Sequence, residues 1–100
     1  MKRIYKYPLE MANHQEIEMP KGAKILSANN QREVVCLWAA VDPDEKVIVK
    51  RKIRIAGTGH AIVNFGSLKF IDTVICHKPI YSDIELDNNG SLIWHIFEEK

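Results

Sequence analysis

No apolar run in this 100-residue sequence approaches the ~20 residues that a membrane-crossing helix requires, which excludes a helical membrane protein. No window of about twelve residues places apolar side chains at the 3.6-residue helical period, so a helix bundle or coiled coil is excluded too. Cysteine is scarce. Cys36 and Cys76 both sit inside apolar runs, which speaks against a disulfide scaffold and for two buried thiols in a reduced, cytoplasmic protein. The opening Met1–Pro8 begins basic but lacks an apolar core segment, so no secretory leader is expected. Charge of one sign is missing as well. Lys plus Arg number 14 and Asp plus Glu 13, a net of +1, whereas a blanket nucleic-acid binder is strongly basic. With 46% hydrophobic residues and so little net charge, disorder is not expected. Repeats, linkers and low-complexity segments are absent. One hundred residues make one domain, 1–100, able to bury about 65% of the surface of its unfolded chain.

What is present is period two. Runs rich in Val, Ile, Tyr and Trp are punctuated by Pro, Gly, Asp and Asn, the pattern of short strands and turns. Strands are expected at Lys2–Tyr7, Glu16–Met19, Ala23–Ala28, Val34–Val41, Val47–Ile55 and Lys69–His77, with a final hairpin of Ile84–Leu86 and Ser91–Phe97 around Asp87-Asn88-Asn89-Gly90. Turns are expected at Pro20-Lys21-Gly22, at Asn29-Asn30-Gln31 and at Asp42–Glu45. Val34–Val41 is apolar throughout, which predicts a central strand covered on both faces. Ala61–Leu68 reads as a loop with one short helical turn, and Lys78–Ser82 as irregular. Seven or eight short strands in this length predict a single small antiparallel β-sandwich or barrel-like domain with little helix.

Four features carry chemistry. Gly57-Thr58-Gly59-His60 is a break whose glycines allow close backbone approach, so Gly57, Thr58, Gly59 and His60 are the candidate ligand-binding set for a phosphate or carboxylate. It lacks the Lys-Ser/Thr end of a phosphate-binding loop, and no helix follows it. Lys50, Lys52 and Arg54 share one strand face at about 6.7 Å spacing, a candidate surface for an acidic partner. Tyr5 and Tyr7 share a face of the first strand, a candidate docking edge. Trp38 and Trp94 are expected in the core.

Other constellations are weak. His14, His60, His77 and His95 form no close ligand pair, so no metal site and no cofactor are expected. His95 faces away from Trp94 and Ile96. Cys36 is too apolar in setting for a nucleophile, and Cys76 and His77 point to opposite strand faces. No catalytic residue is assigned. Residues 1–56 carry 11 basic and 7 acidic side chains, and residues 57–100 carry 3 and 6. A two-signed surface suits a protein partner or a second copy of the chain better than nucleic acid.

Several segments together have a further meaning: Tyr5–Leu9, Met19–Ser27, Gln31, Leu37–Pro43, Arg54-Ile55, Gly57–His60 and Trp94–Glu98. This set resembles a family of small uncharacterised proteins of bacteriophages and prophages. The resemblance spans nearly the whole chain and departs around Ile80–Asn89, which reads as extra length before the last strand. It implies a phage or integrated phage in a bacterial cytoplasm and carries no activity, cofactor or catalytic residue. The expectation is a non-enzymatic accessory protein that binds a macromolecule, with a host defence or regulatory protein as target class. The alternatives are a small anionic ligand such as a nucleotide at Gly57–His60, and single-stranded nucleic acid.

Overall fold

The alternating pattern becomes sheet throughout the computed structural model, which describes residues 1–77 and 92–100. Seven strands run through these residues: β1 Arg3–Pro8, β2 His14–Pro20, β3 Lys24–Gln31, β4 Val34–Val41, β5 Ile48–Gly57, β6 Leu68–Cys76 and β7 Leu92–Glu99. One 3-10 turn at Phe65–Ser67 is the only helical geometry among the described residues. The strands form two antiparallel sheets, β1-β4-β3 and β2-β5-β7-β6, so the all-β class read from the sequence is the class observed. The expected irregular segment Lys78–Ser82, the strand Ile84–Leu86 and the turn Asp87–Gly90 lie outside the described residues.

β4 is the middle strand of the three-stranded sheet, and Val35, Leu37, Ala39 and Val41 of its inner face have no solvent exposure. Met19, Ile53, Ile55, Val74, Cys76 and Ile96 meet them from the four-stranded sheet, so the core lies between the two sheets. Burying one such Leu or Ile side chain contributes about 1.5–3 kcal/mol. The other face of β4 departs from the expectation of cover on both sides. Cys36 is buried there, but Trp38 and Ala40 are half-buried and Val34 is exposed. No second layer lies over this face among the described residues. Its local cover includes the hydrogen bond that Lys6 on β1 donates across β4 to Gln31 on β3. Trp94, by contrast, packs against the core as expected.

Asn29–Gln31 does not end β3; it belongs to the strand. The chain reverses at Arg32 and Glu33, both with positive φ (53° and 67°), the two-residue loop whose twist matches the flanking strands. The Asn30 side-chain oxygen accepts the Glu33 amide at 2.6 Å, which offsets the cost of left-handed backbone at residues other than glycine.

The two sheets meet where β3 and β6 lie side by side. Side chains help to close that seam. Asp72 accepts the Ala28 amide (3.2 Å), Asn30 donates to the Ile75 carbonyl (3.0 Å) and Glu33 accepts the His77 amide (2.8 Å). A bulge between Phe70 and Asp72 sets Asp72 opposite Ile96, on the core-facing side. The start of β3 is held by Arg51 of β5. Its guanidinium grips both carboxylate oxygens of Glu98 and donates to the Ala23 carbonyl at 2.7 Å. The hydrogen bond to Glu98 raises the Arg51 pKa above its ordinary value, against the effect of burial.

Candidate functional site

Gly57–His60 forms a tight turn closed by the His60 amide donating to the Gly57 carbonyl at 3.1 Å. Gly59 occupies the third position with φ of +87°, the conformation that a type II turn requires there. A side chain on Gly57 would sit 3.0 Å from the His60 ring and 3.4 Å from Trp94, so this glycine makes room for the imidazole. The Thr58 amide donates to the Ile93 carbonyl at 3.4 Å. Two of the amides that a phosphate cradle would offer are thus engaged with backbone acceptors.

Lys50, Lys52 and Arg54 do share the outer face of β5, but they differ in cover. Both lysines are exposed, while Arg54 is only 8% exposed beneath the returning loop, where Nη1 donates to the Val63 carbonyl at 3.3 Å. Register sets Lys50 directly opposite Glu18 and Lys52 opposite Glu16 of β2. The expected basic face is therefore a chequer of both signs, because cross-strand pairing supplies acids that strand period alone does not reveal. Tyr5 and Tyr7 stand opposite Ala39 and Leu37, on the core side of β1. Tyr7 packs against the core and Tyr5 remains 41% exposed. Desolvation, and then the neighbouring Tyr5, push the Tyr7 hydroxyl pKa up.

Two groupings on the outer face of the four-stranded sheet escaped the sequence reading. His95 on β7 lies between Thr58 (Oγ1 to Nε2, 2.8 Å) and Thr73 of β6 (Oγ1 to Nδ1, 3.1 Å). Phe97, next along that face, is buried edge-on between Phe65 and Phe70, with ring centroids 6.0 and 5.6 Å away. Phe65 and Phe70 are themselves 63% and 56% exposed. The available signal was alternation: Thr73 and His95 occupy outward positions, as do Phe70 and Phe97, but only the order β5-β7-β6 sets them side by side.

Two concavities accompany these groups. One, of about 140 Å³, is lined by His14, Arg54, Phe97 and the returning loop His60–Val63. His14 and Arg54 are cross-strand partners, so β2 and β5 place them together. The other, of about 360 Å³, lies between the starts of β3 and β6, the middle of β5 and the end of β7. Lys24, Lys69, Phe70 and the Arg51–Glu98 pair line it. Its guanidinium is already committed to Glu98 and Ala23.

A family model described as a domain of unknown function, DUF7352, matches residues 1–100. The chain belongs to that family. No curated protein and no solved structure matches it. In this DUF7352 domain the thiols are set for packing: both are free and buried, and desolvation raises the pKa of Cys36 and of Cys76, the latter helped by the nearby Glu33 carboxylate. Among the described residues no three His, Cys, Asp or Glu side chains gather as metal ligands. No helix among them is long and apolar enough to cross a membrane. The Thr58–His95–Thr73 chain resembles a nucleophile, base and orienter in spacing, but its orienter is a neutral hydroxyl, which stabilises an imidazolium far less than a carboxylate does.

Proposed function

We propose that this DUF7352 domain is a non-enzymatic accessory protein of a bacteriophage or prophage that acts by binding a protein partner, with a host defence or regulatory protein as the target class. The sequence resemblance supplies the phage setting. The observation that carries the binding mode is the aromatic cluster on the outer face of the four-stranded sheet. Phe65 and Phe70 flank Phe97 and leave more than half of their own surface in water, with exposed Val63 nearby in the chain. Aromatic side chains held in fixed geometry are the common anchors of protein interfaces, because they lose little conformational freedom on docking. Lys50, Lys52, Glu16 and Glu18 extend this face with both signs of charge, which suits register and steering on a protein surface. Alternating acids suit a nucleic-acid backbone poorly.

The test is quantitative capture from a bacterial host lysate with the wild type and with the double variant Phe65→Ser/Phe70→Ser. The expected result is a protein retained by the wild type and lost by a variant that keeps the wild-type melting temperature within a few degrees. Equal retention by both proteins would remove the aromatic cluster from the account. A wild type that instead sediments as a dimer, and a variant that sediments as a monomer, would make the partner a second copy.

A further inference from the structure

We propose that the concavity between His14, Arg54 and the Ala61–Val63 loop is an oxyanion site, taking a single phosphate or carboxylate group. The argument starts from the charge of Arg54. The residue is only 8% exposed, and among the described residues it makes no ion pair. Its side chain's one hydrogen bond among those residues is the donation to the Val63 carbonyl, although a guanidinium carries five N–H donors. Arginine is almost never buried this far without a partner. Among the described residues no sealed side-chain nitrogen or oxygen lacks a hydrogen bond, so the remaining guanidinium nitrogens reach accessible space. The space that this residue lines is the 140 Å³ concavity.

His14 stands directly across the strand pair, a second nitrogen-bearing group on the same wall. The next acid along β2, Glu16, stands opposite Lys52 instead. Phe97 supplies an apolar side, which strengthens a charge–charge contact by excluding water. The volume decides the ligand class. Sites for whole small molecules run to about 300–1,000 Å³, so this one suits one anionic group and not an enclosed nucleotide. The site adjoins the aromatic cluster through Phe97 but does not rest on that cluster having a partner, and the group can come from a free anion or from a side chain of a bound macromolecule.

The test is a backbone amide NMR titration of the full chain with inorganic phosphate, against sodium chloride at matched ionic strength. The expected result is saturable shifts centred on His14, Arg54, Ala61–Val63 and Phe97. Arg54→Met is expected to weaken binding by about tenfold or more, and His14→Ala by a smaller factor. Without phosphate, Arg54→Met is expected to melt at or above the wild type, because it replaces a buried charge that has no acid among the described residues with an apolar chain. His14→Ala keeps the question open to measurement if Arg54→Met does not fold. A phosphoserine peptide that binds at least about tenfold tighter than phosphate, with the same shifts, assigns the group to a macromolecule; equal affinity assigns it to a free anion. Absence of saturable shifts at tens of millimolar phosphate in the folded protein would overturn the proposal. So would shifts centred on Lys24 and Lys69.

Discussion

Two arginines three residues apart on β5 divide the molecule. Arg51 faces the space between the sheets and is answered at all three of its nitrogens, by both oxygens of Glu98 and by the Ala23 carbonyl. Arg54 faces outward, lies deeper from solvent, and among the described residues has one carbonyl contact and no acid. The same contrast runs through their surroundings. On the inner side Val35, Leu37, Ala39 and Val41 have zero exposure, whereas on the outer side Phe65 and Phe70 stand more than half exposed around Phe97. Among the described residues, then, the inner face of the sheet is satisfied, while the outer face keeps a charge without an acid beside open aromatics. The inner face holds the fold, and the outer face carries the groups on which the proposed binding rests.

This contrast can be broken from either side. The largest effect is expected in the core. Leu37→Ala should lower unfolding free energy by about 2–5 kcal/mol, read by urea denaturation; a loss under about 1 kcal/mol would mean that the inner face is not the stabilising layer. Next comes Glu98→Gln, which leaves the Arg51 guanidinium half-buried without its counter-charge. The expected loss is about 1–3 kcal/mol, between the values for exposed and fully buried pairs. A double-mutant cycle with Arg51→Met should recover most of it as coupling. Gly59→Ala, at φ of +87°, should cost about 1 kcal/mol while leaving the sheets intact by circular dichroism.

The smallest effect is a slope with pH. Burial raises the pKa of both Cys36 and Cys76, so above about pH 8.5 the unfolded chain loses its thiol protons before the native state does. Stability should therefore be level through neutrality and fall as pH rises from there, with Tyr7 adding to the fall above about pH 10. The melting temperature of Cys36→Ala/Cys76→Ala between pH 7 and 10 should fall less steeply than that of the wild type. An equal slope would assign the decline to other groups.

Much of this division was legible in the residues. Val34–Val41 declared itself the middle of a sheet by being apolar throughout, and Gly57–His60 declared a break by its two glycines. The end of β3 was not legible, because Asn29 and Asn30 favour turns while the actual turn is Arg32-Glu33, whose left-handed backbone is supported by a bond from Asn30. Period two put Lys50, Lys52 and Arg54 on one face correctly, yet it carried no information about Ala61–Val63 folding back over one of the three. Nor did it show Glu16 and Glu18 arriving from β2. The Thr58–His95–Thr73 chain and the phenylalanine cluster depend on strand order, which is set by non-local pairing and leaves no local mark.

The division is tested most directly by unfolding Arg51→Met and Arg54→Met side by side in urea, without added phosphate. The account predicts opposite results. Arg51→Met strips Glu98 and Ala23 of their donor and loses about 1–3 kcal/mol, while Arg54→Met is as stable as the wild type or more so. A comparable loss in both variants would contradict it, since Arg54 would then be holding the fold together as Arg51 does.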